Sequence, residues 1–149
     1  MTVEELYRQI IDAWNARDAE AFAALFTVDG EIVGFDGSQA TGRGQIHEHL
    51  KAVFDSHETM KYVGVVDKVT TVTTDVAIVH AVVGMVSKAT DQIEPKLNAV
   101  QRLVGVHRSG DWRAALLQTT PAAYHGRPDD VARLTATLTA ARASGDNAR

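Results

Sequence analysis

The stretch "NAVQRLVGVHRSGDWRAALLQTT" (residues 98–120) has the composition of two β-strands joined by a tight turn. Apolar residues dominate both halves, and Ser109 and Gly110 between them suit a two-residue hairpin turn. Two more runs rich in β-branched residues precede it, "MKYVGVVDKVTTVTT" (60–74) and "VAIVHAVVGMVSK" (76–88). Together these strands predict an antiparallel meander over residues 60–120.

Helices are predicted before and after this meander in the sequence. Thr2 and Glu5 form a capping box in front of an apolar stripe at helical spacing, and Asp18 can cap a second, short helix. A third helix follows "TGRG" (41–44), and Pro128 opens a last one. Helices first and long antiparallel strands afterwards are typical of an α+β fold.

Length and composition predict an ordinary globular protein. The chain has 149 residues, a net charge of −4 and no cysteine, which excludes disulfides and thiolate metal sites. Neither its charge nor its apolar runs favour nucleic acid or membrane as partners, and no signal peptide is recognisable, so we expect a cytoplasmic protein. We expect one domain over residues 1–143 and a polar, flexible tail over residues 144–149.

The strand "VAIVHAVVGMV" (76–86) is apolar on both of its alternating faces, which predicts a sheet covered on both sides. The helices can cover one side. The other side then requires a partner, and the simplest one is the same sheet of a second subunit. We therefore expect a homodimer that forms through the outer sheet face.

Counting back from the Ser109–Gly110 turn places Gln101 directly opposite Gln118 on one sheet face. Extending the pairing to the preceding strand brings His80 to the same face. The two amides either bond each other inside the sheet or orient a ligand in a cavity. His80 is either a core histidine with a polar neighbour or an acid–base group.

Other candidate chemistry is weaker. Asp36 stands in a glycine-flanked turn and reads as a turn former. His47 and His49 point about 160° apart on a helix, because each residue turns the chain by about 100°, and so they cannot chelate one metal ion. The glycine-rich "GSQATGRG" (37–44) lacks the strand–turn–helix context of nucleotide-binding loops. We expect neither a metal site nor a cofactor.

Two strings, "LFTVDGEIVGFDGSQATGRGQI" (25–46) and "GDWRAALLQTTPAAYHGRP" (110–128), together with the order of elements, resemble the nuclear-transport-factor-2-like superfamily over residues 1–130. This superfamily includes the SnoaL-like polyketide cyclases and ketosteroid isomerase. The chain is most similar to the SgcJ/EcaC group, which is associated with enediyne and polyketide biosynthesis. Members of that group are often labelled oxidoreductases, a label that nothing in these residues supports.

The resemblance implies a cone-shaped α+β fold, usually dimeric, with N-terminal helices on a curved, mainly antiparallel sheet that encloses a pocket. Relatives use that pocket for acid–base chemistry without a cofactor. By position, the residues implied to line it are Trp14, Phe26, Phe35, Gln101, Leu103, Leu116 and Gln118.

Three functions remain open at this point. The first is a cofactor-independent enzyme of natural-product biosynthesis that carries out proton transfer, cyclisation or dehydration on a polyketide-derived intermediate, with His80 moving protons and the two glutamines holding a carbonyl or enol. The second is a non-catalytic carrier of a small hydrophobic intermediate. The third is an accessory dimer whose cavity has no ligand.

Overall fold

A computed structural model of the protein describes residues 1–145, which form four α-helices and six β-strands. The helices are α1 (Val3–Asn15), α2 (Ala19–Ala24), α3 (Arg43–Ser56) and α4 (Pro128–Ala143). The strands are β1 (Phe26–Val33), β2 (Gln39–Thr41), β3 (Tyr62–Thr73), β4 (Val76–Met85), β5 (Ala99–Arg108) and β6 (Asp111–Pro121), and a short 3-10 helix spans Pro95–Leu97. Residues 146–149, the end of the predicted tail, lie outside the described residues.

The six strands form one curved, open sheet in the order β2-β1-β6-β5-β4-β3. β1 and β6 pair in parallel, and all other neighbours pair antiparallel. The predicted α+β class and the mainly antiparallel sheet are confirmed. Within the described part of the chain, every helix lacks the length or the apolar character that a membrane span needs.

The helix starts follow the predicted caps. The Thr2 hydroxyl accepts the Glu5 N–H, and the Glu5 carboxylate accepts the Thr2 N–H in return, which completes the capping box of α1. Asp18 caps α2 by accepting the Ala21 N–H at 2.9 Å.

Helices α1, α2 and α3 cover the inner, concave face of the sheet. Their apolar stripes meet the inward-facing side chains of β4, β5 and β6 in one continuous core. The core includes residues that are almost completely buried: Leu6, Tyr7, Ile10, Phe26, Ile46, Val79 and Leu103. This packing leaves the pocket described below at one end of the concave face.

Helix α4 covers only one end of the outer face. It packs Leu134, Leu138 and Ala141 against Val63 and Ile93 in a second, smaller core. Beyond α4, an apolar row of Ile78, Val104 and Leu116 crosses three adjacent strands, and no helix of the described residues covers it. Each of the three side chains is half-buried. The chain itself therefore covers part of the outer face, which was expected to be covered by a partner alone.

The β5–β6 hairpin begins as predicted and then changes register. Ser109 and Gly110 both have positive φ, at 53° and 80°, and Arg108 pairs with Asp111. A β-bulge follows, because Gly105 pairs with Ala114 while Val104 pairs with Leu116. The extra residue moves every later pairing by one position.

The predicted pairing of Gln101 with Gln118 is therefore wrong. Gln101 lies opposite Thr119, and Gln118 lies opposite Arg102 on the outer face. The predicted position of His80 is also wrong, since His80 pairs with Arg102, and it is Ala81 that lies opposite Gln101. A slip of one residue exchanges the two faces of a strand, because side chains alternate with period two.

Candidate functional site

A pocket of about 400 Å³ lies between the concave face of the sheet, helices α1 and α3, and the turn between β1 and β2. Most of its wall is apolar, as is usual for sites that bind small molecules. The apolar side chains that line it include Ile10, Ile11, Trp14, Phe22, Ile32, Phe35, Leu50, Val53 and Leu117. Its polar groups fall into two sets, one buried among the strands and one at the exposed rim.

Gln101 and Thr119 form the buried polar set. Adjacent on β5 and β6, they are 2% and 8% exposed, and both line the pocket. The Gln101 Nε2–H donates to Thr119 Oγ1 at 3.0 Å. On its other side, Gln101 Oε1 accepts the Tyr7 hydroxyl at 2.7 Å.

Tyr7 determines the direction of this hydrogen-bond chain. It is fully buried on α1, and loss of hydration raises the pKa of its phenol, with further contributions from Tyr62 and Asp67. Tyr7 is therefore protonated at neutral pH and needs an acceptor, which is Gln101 Oε1. The Gln101 amide nitrogen then faces Thr119, and the Thr119 hydroxyl oxygen accepts its hydrogen bond. The hydrogen of that hydroxyl has no acceptor among residues 1–145.

Tyr62, at the start of β3, adds a second hydroxyl donor that is not used within the described residues. Burial raises its pKa to about 12, so its hydroxyl also keeps its proton at neutral pH. That hydroxyl has no hydrogen-bond partner in the described part of the chain, and Tyr62 lines the pocket. Asn15 holds the residue in place through both backbone groups, accepting the Tyr62 N–H at 2.8 Å and donating to its carbonyl at 3.0 Å.

The exposed rim carries the remaining polar groups, Asp36, Ser38 and His49. Asp36 Oδ1 accepts the Ser38 N–H at 2.9 Å, the geometry of a turn former. The Ser38 backbone and side-chain hydrogen bonds, and more weakly the charge of His49, hold the Asp36 pKa below its usual range. Asp36 is thus ionised at neutral pH and can accept a proton.

Three of the predicted site residues, Trp14, Phe35 and Gln101, line this pocket. Trp14 is held by a hydrogen bond from its indole N–H to the Met60 carbonyl at 3.0 Å. Phe26 and Leu103 are instead part of the fully buried core and do not line it.

The other three predicted residues lie outside the pocket. Leu116 and Gln118 are on the outer face because of the bulge, and they do not line the cavity. His80 is on the outer face as well, where its Nε2 lies 2.9 Å from the Thr70 hydroxyl. The structure therefore offers His80 no route to a ligand in this pocket.

Sequence reasoning missed Tyr7, Tyr62 and Thr119. The position of Tyr7 on the apolar stripe of α1 was a usable signal, because a buried tyrosine hydroxyl needs a partner from elsewhere in the chain. The inward position of Thr119 depends on the bulge, and no feature of the strand sequence located that bulge.

The described residues contain no group of three or more side chains that could hold a metal ion. The glycine-rich residues 37–44 form a turn, β2 and the first residues of α3, and β2 pairs antiparallel with β1. This is not the parallel strand–helix–strand arrangement that binds nucleotides.

Comparison with known proteins identifies one family. The family model described as "SnoaL-like domain" matches residues 7–108. No curated protein matches the chain.

Solved structures with a similar fold are numerous. A domain of unknown function with a cystatin-like fold from Nostoc punctiforme matches with a TM-score of 0.77 and 23% identity, over 95% of this chain and 93% of that one. A ketosteroid isomerase-like protein from Erwinia carotovora atroseptica matches with a TM-score of 0.62 and 23% identity, over 80% and 93%. A nuclear-transport-factor-2-like protein of unknown function from Pseudomonas putida matches with a TM-score of 0.64 and 15% identity, over 79% and 82%.

Proposed function

The chain belongs to the SnoaL-like domain family, and we propose that it is a small-molecule enzyme that needs no cofactor and acts on an apolar substrate held by a carbonyl oxygen. The observation that carries this proposal is the hydrogen-bond chain from Tyr7 through Gln101 to Thr119. This series of hydrogen bonds ends on the Thr119 hydroxyl, whose hydrogen has no acceptor among the described residues and lies beside an apolar cavity. A ligand oxygen is the group that such a donor lacks.

The same donors can activate the carbonyl that they hold. Hydrogen bonds from Thr119 and Tyr62 stabilise negative charge on the oxygen, and they are worth more in a pocket that excludes water. A proton on the adjacent carbon then leaves to a base, a carbon–carbon double bond forms, and the oxygen becomes an enolate. Return of a proton at another carbon gives isomerisation, and attack of the enolate carbon on a second carbonyl gives cyclisation.

The proton acceptor in this proposal comes from the rim. Among the described residues that line the pocket, Asp36 and His49 are the side chains able to take up a proton. The lowered pKa of Asp36 makes it a weak base. The hydroxyl donors must therefore make the substrate proton more acidic by stabilising the enolate oxygen. Hydrogen bonds from buried donors do this more effectively than hydrogen bonds from exposed ones.

Polyketide-derived intermediates of natural-product biosynthesis, enediyne precursors included, meet these requirements, because they combine apolar carbon skeletons with several carbonyl groups. The resemblance to the SgcJ/EcaC group supports this substrate class. A carrier is the second candidate. It is favoured by the absence of any carboxylate or imidazole among the buried lining residues within 1–145.

A matched pair of ligands tests binding. 2-Acetylnaphthalene carries a carbonyl, and 2-ethylnaphthalene has nearly the same shape without one. One neutral hydrogen bond contributes about 0.5–1.5 kcal/mol, so we expect the wild-type chain to bind the ketone about 2- to 10-fold more tightly. Thr119→Val should remove much of this preference, while Gln118→Val, the neighbouring change on the outer face, should keep it. Equal binding of both ligands by the wild-type chain would rule out a carbonyl site.

The same ketone separates the enzyme from the carrier. Enolisation in D2O exchanges the methyl protons of 2-acetylnaphthalene for deuterium, which ¹H NMR measures directly. We expect exchange about 10²-fold faster than in buffer, the lower range for a positioned acid–base group. Ketone-selective binding with exchange at the buffer rate would identify a carrier.

We also propose that a second copy of the chain covers the outer face beyond α4. The uncovered row of Ile78, Val104 and Leu116 supports this, since it is apolar and continuous across β4, β5 and β6. The sheet would then have apolar cover on both sides, as the alternating pattern of β4 requires.

A further inference from the structure

A second cavity, a groove of about 610 Å³, lies next to the pocket. Trp14 and Tyr62 line both cavities. The groove is formed where the end of α1, the segment 58–61, the start of β3, the segment 86–91 and the end of α4 converge. None of the proposed chemistry of the pocket uses it.

The groove is positively charged in a chain whose net charge is −4. Four cations line it, Arg17, Lys61, Lys88 and Arg142, together with two carboxylates, those of Glu58 and Asp91. A cleft lined mainly by one sign of charge concentrates the electrostatic field and attracts small ions of the other sign.

Both carboxylates form ion pairs with cations of the groove, and in each pair the carboxylate is the more exposed side chain. The Lys88 side chain is 46% exposed and its partner Glu58 is 86% exposed, with 2.9 Å between them. The Arg142 side chain is 36% exposed and its partner Asp91 is 85% exposed, at 2.7 Å. Exposed pairs of this kind contribute little, so an incoming anion can replace these carboxylates as partner of the cations. Arg142 keeps its other hydrogen bond, which it donates to the Asp91 backbone carbonyl at 2.7 Å.

Lys61 and Arg17 complete the groove in different ways. The Lys61 ammonium has no hydrogen-bond or ion-pair partner among residues 1–145. Arg17 donates to the Phe54 carbonyl and to the Thr59 hydroxyl, which holds its guanidinium in place at the end of α1. Within residues 1–145, the Lys61 ammonium is therefore unpaired, whereas the Arg17 guanidinium is already positioned.

We propose that this groove binds the phosphate group of a small molecule, at a site separate from the carbonyl pocket. The two positive charges left over after pairing match a phosphate monoester, which carries about −1.5 to −2 charges at neutral pH. Arginine and lysine together are the usual ligands of phosphate. The size of the groove limits the ligand to a small molecule, and the net negative charge of the chain disfavours a nucleic acid.

Trp14 lines the groove, so its fluorescence responds to binding there, and the charge variants described below distinguish the groove from the pocket that Trp14 also lines. The chain has two tryptophans, so Trp112→Phe leaves Trp14 as the only indole. We expect inorganic phosphate to produce a saturable change in Trp14 fluorescence, and sodium chloride at equal ionic strength to produce none. If Trp112→Phe fails to fold by circular dichroism, the indole N–H resonance of Trp14 in the native chain gives the same information by NMR.

Charge variants locate the site. Lys61→Ala should weaken phosphate binding about fivefold or more, as expected for loss of a charge-assisted contact. Lys51→Ala is the matched control, because Lys51 is an exposed lysine paired with Asp55 at 2.8 Å on α3, outside the groove. Tighter binding of glycerol 3-phosphate than of inorganic phosphate would identify an ester as the ligand, and the reverse order would identify free phosphate. A non-saturable response, a response reproduced by chloride, or equal effects of the two lysine variants would overturn the proposal.

Discussion

At the scale of single residues, Tyr7 sets the direction of the hydrogen bonds beside the pocket. Its buried phenol must donate, which turns the Gln101 amide nitrogen towards Thr119 and leaves the Thr119 hydroxyl hydrogen without an acceptor among residues 1–145. Gly64 provides the space for this arrangement, since a Cβ atom there would lie 2.7 Å from the Tyr7 hydroxyl oxygen. A tyrosine, a glutamine, a threonine and a glycine from four different elements thus act together as one donor site.

His80 gives a residue-scale prediction about pH. Partial loss of hydration, followed by the charges of Arg102 and Lys68, lowers its pKa below the ordinary value of 6.5. Between the lowered pKa and 6.5 the unfolded chain binds more protons than the folded chain, so this residue reduces stability as the pH falls through that window. We expect NMR titration of the His80 ring to give a pKa below 6.5 that rises in Arg102→Gln.

The same residue tests the corrected register. Because His80 lies on the outer face, His80→Ala should leave deuterium exchange of the ketone unchanged. A loss of roughly 10²–10⁴-fold, the usual effect of removing a general acid or base, would contradict the placement of His80 outside the pocket.

At the scale of elements, α1 and β6 build the site. α1 supplies both Tyr7 and Trp14, and its first turn packs closely on the sheet, where a Cβ atom at Gly105 would lie 2.6 Å from Val3. β6 contributes Thr119 only because the bulge near its middle turns that residue inward. The register of one strand and the anchoring of one helix therefore control the geometry of the donors.

The capping box of α1 gives an element-scale prediction. Thr2→Ala removes the acceptor for the Glu5 N–H, and loss of such a cap costs about 1 kcal/mol of stability. Thr137→Ala is the control, because Thr137 is an exposed threonine inside α4 that bonds only the Arg133 carbonyl. We expect urea unfolding to show the loss for Thr2→Ala and no loss for Thr137→Ala. Equal midpoints for Thr2→Ala and the wild-type chain would mean that the cap does not hold α1.

At the scale of the whole molecule, the sheet separates two kinds of surface. Its concave face carries the core and the pocket, and its outer face is covered at one end by α4. The apolar row of Ile78, Val104 and Leu116 continues beyond α4. A second copy placed on this row would bury it in the same way as the helices bury the inner face.

The proposed dimer predicts the molecular mass of the protein in solution. We expect light scattering to give twice the 16.1 kDa mass of the chain, and Val104→Asp, in the middle of the row, to shift the protein towards the monomer. Val72→Asp is the matched control, since Val72 is an apolar residue 55% exposed in β3 and outside the row. A wild-type chain that stays monomeric at high concentration would refute the dimer.

The sequence by itself determined the fold class, the helix starts and the hairpin turn. These are local properties: a capping box needs only Thr2 and Glu5, and the two-residue turn needs only Ser109 and Gly110. The composition of β4 also showed that both faces of the sheet are apolar. The resemblance carried by residues 25–46 and 110–128 indicated the superfamily that includes the SnoaL-like proteins, and the comparison confirms a SnoaL-like domain over residues 7–108.

Only the tertiary structure decided which side chains meet in the pocket. One extra residue in β6 exchanges its two faces, so that Thr119 takes the inner position expected for Gln118, and a one-residue difference in the pairing of β4 with β5 puts His80 on the outer face. Neither register shift can be recognised in the strand sequences, because both faces of these strands are apolar and either register would bury apolar side chains. Packing of the whole core selects the register, and with it the donors of the site.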